Sequence, residues 1–256
     1  QADMNMRVYP GIDASYRMGN AWKVYASYNT SLRMPSFTEL FYSVGGHKAD
    51  KHLKPEELSA LEAGLKYNAH GISGKTSIFY NQQKNLIDWI SDGTLDANGS
   101  PLWKSVNFGR INVVGVEASL SFDCRTLMPS QRFLKQFSLA YCYLNQNEKE
   151  HKGITSKYVL EYVKNKMVAN LQLNLWRNLD LGLNYRLFHR MGGYIDTNNQ
   201  RHNYATYGIL DTRLSWNTGK WTAFAAANNL LNRTYVDYGN VPQPGTWITA
   251  VISIQM

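Results

Sequence analysis

Leucine occupies every second place in the stretch ANLQLNLWRNLDLGLNYRL, residues 169–187. Between the leucines sit Asn170, Gln172 and Asn174, then, after a break at Trp176-Arg177-Asn178, Asp180, Gly182, Asn184 and Arg186. At about 100° per residue a helix would scatter these leucines around a cylinder, whereas a strand puts them on one face. The stretch therefore predicts an antiparallel hairpin, apolar on one side and strongly polar on the other. The same alternation recurs along the chain. Met6, Val8, Pro10, Ile12, Ala14, Tyr16 and Met18 alternate with Arg7, Tyr9, Gly11, Asp13, Ser15 and Arg17. Trp22–Tyr28, Leu61–Tyr67, Thr76–Tyr80, Val114–Phe122, Phe137–Tyr143, Gly208–Trp216, Trp221–Asn228 and 246–256 follow the same rule. The reading gives about eleven strands, most of roughly nine or more residues, against about five or six in an ordinary soluble sheet. A tilted strand crossing a membrane needs about 9–11 residues.

The connections sort by length. Residues 19–20, 68–71, 176–178 and 217–220 are short; 34–56, 91–104, 145–158, 191–204 and 229–245 are long, and 123–136 is intermediate. Outer-membrane barrels have this asymmetry, with brief turns at one rim and long loops at the other. Trp22, Trp176, Trp216 and Trp221 lie beside short turns, where an aromatic girdle belongs, while Trp89, Trp103 and Trp247 lie towards the long loops. A strand in hydrocarbon must pair all its backbone groups laterally, and a closed barrel does this. The expectation is an all-β fold: leucines against lipid, asparagines against a lumen, residues 1–256 forming part of a large transmembrane β-barrel. A soluble β-sandwich with the leucine faces packed together is the alternative, as is a passive porin or adhesin barrel.

Composition changes this picture little. The chain has 256 residues with 17 Tyr and 7 Trp, which suits strands, and no apolar run approaches the roughly 20 residues of a spanning helix. The net charge of +8 comes from scattered Lys and Arg without a compact basic cluster, so lumenal and loop charges are expected and nucleic acid is not. The start shows no basic and apolar leader, so the chain is expected to be either not exported or an internal piece of something longer. Cys124 falls in a turn and Cys142 inside a strand, and no disulfide between them is expected.

Several segments, in order, resemble the TonB-dependent outer-membrane receptor family. Ser31-Leu32-Arg33-Met34-Pro35-Ser36-Phe37-Thr38-Glu39-Leu40 is similar to the family's S-x-R-x-P-S/T-x-x-E-L segment. Leu53-Lys54-Pro55-Glu56 followed by Glu62-Ala63-Gly64 resembles its L-K-P-E … E-x-G entry to a strand, and Gly115-Val116-Glu117 its G-V-E strand. Asn228 to Tyr235, with Asp237-Tyr238-Gly239 and Pro244-Gly245, resembles its N-L-x-x-x-x-Y … P-G ending. The resemblance implies the C-terminal half of a barrel of about 22 strands, in the bacterial outer membrane, taking up a cobalamin-like corrinoid or a ferric chelate. The ending looks closest to the cobalamin-receptor-like branch. Implied partners are the N-terminal barrel half and the plug domain, no sequence for which stands in residues 1–256. Through the plug comes a TonB-type energy-coupling protein; outer-membrane lipid, lipopolysaccharide and a surface lipoprotein complete the set.

The candidate chemistry is binding rather than catalysis. His47, Asp50 and His52 lack a second ligand pair and read as a solvated loop rather than a metal site. His189, His202 and Asp196 lack a serine in suggestive spacing, so no enzyme and no cofactor is expected. Tyr42, Trp103, Tyr194, Tyr204 and Tyr238 offer rings to stack on a flat ligand, and Arg33 and Ser36 match motif positions in an external loop. Arg7, Arg17, Glu62, Lys66, Glu117, Asp180, Arg186 and Arg213 are expected to face the lumen and the plug, many as a wall network of ion pairs.

Overall fold

The computed structural model describes residues 8–147, 154–156, 162–195, 200–237 and 241–254. Hairpin β1 (Gly11–Met18)–β2 (Trp22–Arg33) is followed by helix α1 (Phe37–Phe41) and strand β3 (His47–Lys48). Hairpin β4 (Glu56–Ala69)–β5 (Ile72–Lys84) precedes two short strands, β6 (Ile87–Ser91) and β7 (Trp103–Asn107). Then come β8 (Arg110–Asp123), helix α2 (Cys124–Leu127), β9 (Leu134–Gln146) and β10 (Thr155–Ser156). The opening hairpin is β11 (Val163–Trp176)–β12 (Leu179–Arg190), followed by β13 (Gly193–Ile195) and β14 (Arg201–Asn203). The chain continues through β15 (Tyr207–Asn217), β16 (Trp221–Asn228), β17 (Val236–Asp237), β18 (Val241–Pro242) and β19 (Trp247–Ile254).

Eleven of these strands form one antiparallel sheet in sequence order, β1-β2-β4-β5-β8-β9-β11-β12-β15-β16-β19. Its register keeps the two-faced pattern in step. Ile72, Phe122, Phe137, Leu171, Leu183, Thr212, Ala227 and Ile248 form one row of directly opposed residues. One residue away, on the other face, Ser73, Ser121, Ser138, Asn170, Asn184 and Asp211 form another. A one-residue slip anywhere would break both rows, so the alternation fixes the register. Extensive contacts are made between hydrogen-bonded neighbours, apart from α2 lying against β8 and β9. Among the described residues no second layer covers the apolar face: Ile78 keeps 56% of its surface exposed and Ile252 72%. An apolar band of this extent is foreign to the surface of a soluble monomer and suits contact with acyl chains.

The short connections are turns of two or three residues. His70 and Gly71, both with positive φ (51° and 76°), close β4–β5, and Arg177 (φ 42°) closes β11–β12. A register shift between Asn174 and Trp176 brings Trp176 level with Leu179, which in turn opposes Trp216. Trp22, Trp176, Trp216 and Trp221 all stand exposed at this rim. The intermediate connection is explained by α2, capped by the Asp123 carboxylate accepting from the Arg125 and Thr126 amides. Cys124, the first residue of α2, is buried, and both cysteines are free thiols.

Two expectations need correction. The first strand begins at Gly11, with Val8 to Pro10 outside it, and Met6 and Arg7 of the expected strand fall outside the described residues. The connection expected as a plain loop over 91–104 carries the β6–β7 hairpin at its base. Of the tryptophans near the long loops, Trp89 is buried and Trp247 stands opposite Asn228 on the polar-face side. The long connections instead build their own structure. β6 and β7 pair with β10 and with β3 in a four-stranded sheet drawn from three separate connections. Leu53, Ile87, Trp89, Asp88, Ser91, Ser105 and Ser156 are buried there, so the largest single group of buried side chains among the described residues sits above the wall and not in it.

Candidate functional site

Two clusters occupy the long-loop rim, both tied to the polar face. The first is organised by Arg33, the last residue of β2. Its Nε donates to Glu56 Oε2 at 2.6 Å and Nη2 to Glu56 Oε1 at 2.7 Å. Nη1 and Nη2 donate to the two oxygens of Glu39 at 3.2 and 3.0 Å. One guanidinium thus grips two carboxylates in forked geometry, for which its planar donors are suited. The second shared element is a capping box: the Glu39 amide donates to Ser36 Oγ at 3.3 Å, and the Ser36 amide to Glu39 Oε2 at 2.6 Å. Glu56 also accepts from the Ile87 amide at 2.7 Å, linking the clamp to β6. Burial works against the charge of Glu39, but the Arg33 guanidinium, the Ser36 amide and the Ser36 hydroxyl outweigh it and hold its carboxyl below the usual range. Beside the clamp lies a cleft of about 420 Å³ lined by Arg33, Glu39, Glu56, Gln83, Gln146 and Tyr162.

Beyond the clamp, Tyr42 and Trp89 flank His47, with ring centroids 5.7 and 5.3 Å away. The Trp103 amide donates to the Gly46 carbonyl at 2.8 Å. His47 is therefore packed between rings, and no group of His, Cys, Asp or Glu suited to a metal occurs among the described residues.

The second cluster joins β12, β15 and the last long connection. Arg186 pairs with Asp211 at 2.6 Å and Arg190 with Asp237 at 2.7 Å. Tyr235 stacks on Tyr207 at 4.4 Å, Phe188 lies 5.4 Å from Tyr207, and Arg190 stands 6.0 Å over Tyr204. Tyr194 neighbours both Tyr204 and His202, at 5.7 and 5.5 Å. Asn229, at φ 50°, staples the connection. Its amide donates to Asp211 at 2.9 Å, its side chain to the Arg233 and Pro244 carbonyls at 2.8 and 3.2 Å.

The aromatic residues singled out from sequence thus divide into two groups: Tyr42 and Trp103 in the first cluster, Tyr194 and Tyr204 in the second. Tyr42 is exposed, Trp103 and Tyr194 half-buried and Tyr204 buried. Tyr238 and Asp196 fall outside the described residues, as does Arg7. Arg33 and Ser36 lie together, engaged in the clamp and the helix cap. Of the expected lumenal set, Arg17, Glu62, Lys66, Glu117, Asp180, Arg186 and Arg213 all fall on the polar-face rows. The ion pairs there are local: Lys75–Glu62 at 3.4 Å, Lys135–Asp180 at 2.7 Å and Arg186–Asp211. Asp211, Asp237, Tyr207 and Tyr235 were not foreseen. The alternation places Asp211 on the lumenal side, but only the fold of the last connection brings Asp237 and Tyr235 to it.

The sequence over residues 4–230 matches the family model described as "TonB dependent receptor-like, beta-barrel". Solved structures resemble the chain at low identity. The siderophore receptor PirA from Pseudomonas aeruginosa is 17% identical with a TM-score of 0.65, the match covering 95% of this chain and 38% of that one. The copper transporter OprC is 16% identical with a TM-score of 0.70, covering 94% and 38%. A ferric enterobactin receptor mutant from Pseudomonas aeruginosa is 18% identical with a TM-score of 0.69, covering 96% and 40%. The chain thus spans about two fifths of the length of these proteins.

Proposed function

Since the chain belongs to the family of TonB-dependent receptor-like β-barrels, proteins of the outer membrane, we propose that it is the C-terminal part of an active-transport receptor for a scarce nutrient. A ferric or other metal chelate is the substrate class the comparisons favour, because the neighbours described above are named as siderophore, copper and ferric enterobactin proteins. The cobalamin-like corrinoid that the sequence also suggested has no such support and enters only as a competing arm of the test. In this reading the remaining strands of the barrel, a plug domain and a TonB-type energy-coupling protein complete the transporter, and lipid, lipopolysaccharide and a surface lipoprotein are its surroundings.

The observation that carries the proposal is the position of the packed interior. A wall whose apolar face is bare is surmounted by loops tied into a sheet, and the clamp and the arginine–tyrosine cluster stand on the polar-face side. Rim aromatics and arginines suit a flat, anionic chelate, through ring stacking and charge-assisted hydrogen bonds. The whole receptor, in detergent, is expected to show saturable quenching of tryptophan fluorescence by a ferric siderophore and none by cobalamin. Binding of cobalamin alone would move the substrate class, and binding of neither would remove both.

A further inference from the structure

The short connections carry one sign of charge. They span residues 19–21, 70–71, 124–133, 177–178 and 218–220, and every fully charged side chain in them is basic: Arg125, Arg132, Arg177 and Lys220. The long connections at the other rim mix their signs, with Glu39, Asp50, Asp92 and Asp96 set among Lys51 and Lys54. All four rim cations are exposed. Among the described residues none of them is in ion-pair contact with a carboxylate. Asp123, the nearest acid in sequence, turns its carboxylate to α2, accepting from the Arg125 and Thr126 amides and from Thr126 Oγ1. Asp180 is paired with Lys135.

The same rim ends the lipid-facing band. Trp176 stands opposite Leu179 and Leu179 opposite Trp216, in step with the Leu181–Leu214 pair two residues away. Trp22 opposes Tyr67, two residues from the Val24–Leu65 pair, and Trp221 opposes Ile254, two from Ala223–Ile252. These tryptophans share the apolar face and mark the depth of the bilayer interface. Arg177 follows Trp176 directly, its guanidinium 5.0 Å from that ring, and Lys220 directly precedes Trp221. One strand residue advances about 3.3 Å. Headgroups fill about 5–8 Å beyond the hydrocarbon, so both cations stand at headgroup depth. The α2 connection adds apolar surface at the same level. Its Thr126 lies over Gly71 of the β4–β5 turn, where an added Cβ would meet it at 2.9 Å, so α2 runs along the rim. Leu127, Met128 and Phe133 stay exposed there, beside Arg125 and Arg132.

We propose that Arg125, Arg132, Arg177 and Lys220 form a binding surface for anionic phospholipid headgroups in the leaflet that the short turns reach. A bilayer interface offers three things within a few ångströms: acyl edge for Leu127, Met128 and Phe133, the headgroup layer for the tryptophans, and phosphate for the cations. An acidic protein would meet the charges and leave the apolar side chains unserved. The cations are also spread over three separate hairpins, as individual lipid molecules require, rather than gathered into one patch. With no acid in these connections to oppose it, each cation strengthens attraction to an anionic surface by about fivefold. The inference needs only the assignment of the apolar face to lipid, and it holds whatever the receptor carries.

Native mass spectrometry of the whole receptor tests it, after incubation in micelles holding equal amounts of phosphatidylglycerol and phosphatidylcholine with the same acyl chains. The retained lipid is expected to favour phosphatidylglycerol severalfold, and the preference to shrink after incubation at about 1 M salt, where the Debye length is about 3 Å. The variant Arg125→Gln/Arg132→Gln/Arg177→Gln/Lys220→Gln is expected to lose the preference while keeping the gel mobility of an unboiled, folded barrel. Arg125→Lys/Arg132→Lys/Arg177→Lys should keep it, because attraction to a headgroup needs the charge and not the fork. Should the quadruple variant lose its folded mobility, Arg177→Gln and Lys220→Gln singly replace it, each expected to lower the preference in part. A wild-type receptor without preference, or variants that retain it in full, overturns the proposal. Loss of the preference on adding millimolar inorganic phosphate at constant ionic strength would show a site for a small anion and overturn it too. So would carbodiimide coupling of Lys220 to an acidic protein in whole outer membranes, with the lipid preference unchanged in the quadruple variant; the rim would then be a protein seat.

Discussion

Arg33 shows how one side chain can fix a rim. It joins the end of β2 to α1 through Glu39 and to β4 and β6 through Glu56. Its side chain is 46% exposed, so the pairs are partly screened and worth less than buried ones. Arg33→Ala is expected to cost about 1–2 kcal/mol locally and to raise hydrogen exchange across residues 34–56, with the wall amides unchanged. Arg33→Lys should recover little of it, because a single ammonium cannot grip two carboxylates in a fork. The pH dependence follows from Glu39. Its pKa in the folded chain lies below the value of the unfolded chain, so its contribution is fully present above the ordinary carboxylate range. That contribution fades only as pH falls from the ordinary value through the lowered one. Exchange of the α1 amides should therefore stay flat from neutral pH down to that range and accelerate below it, beyond the intrinsic pH trend. Acceleration already near pH 6 would show that another group holds the helix. From sequence, Arg33 and Ser36 read equally well as ligand contacts or as loop architecture; the hydrogen bonds they make are architectural.

At the scale of the element, strands and turns were legible and the loops were not. Alternation gives a strand its faces, and the register follows because a slip would put leucine among asparagines. The long connections carry no such periodicity. β6 and β7 are five residues each, and β3 and β10 two, too short for a pattern to declare itself. They become a sheet only because the wall delivers three separate connections to one place. The buried Asp88, hydrogen-bonded by Ser156 across 68 positions of sequence, belongs to that assembly. The wall has its own fitting between strands: Tyr25 covers Gly64, Phe79 covers Gly115 and Tyr185 covers Gly208, an aromatic filling the space each glycine leaves on the next strand. Gly115→Val would drive its side chain into the Phe79 ring. A loss of about 1–3 kcal/mol is expected from such overpacking, read as a lower guanidinium midpoint of the whole receptor. Phe79→Ala in the same background should return part of that loss, and strict additivity of the two changes would refute the contact.

At the scale of the molecule, the assignment of faces to solvents is what everything above rests on, and two adjacent residues test it. Leu171 and Asn170 stand at the same depth of β11, on opposite rows. Leu171→Arg should cost about 2–4 kcal/mol in phospholipid vesicles, the penalty of a cation near the bilayer midplane. Asn170→Arg should cost about 1 kcal/mol, from its lost bonds to Ser138 and Asn184. Equal penalties would mean that the two faces meet the same medium. Among the described residues β1 and β19 end the sheet, each with one side unpaired. In hydrocarbon each bare backbone group costs several kcal/mol, a cost that pairing of these two edges would remove. The sequence by itself determined the strands, their faces, their order and the asymmetry of their connections, because a period of two and a turn are local properties that neighbouring residues impose on one another. Only the tertiary structure decided the loop sheet, the grip of Arg33 on Glu39 and Glu56, and the meeting of Arg190 with Asp237. Those depend on register between strands far apart in the chain, and register is a property of pairs that no single stretch of sequence contains.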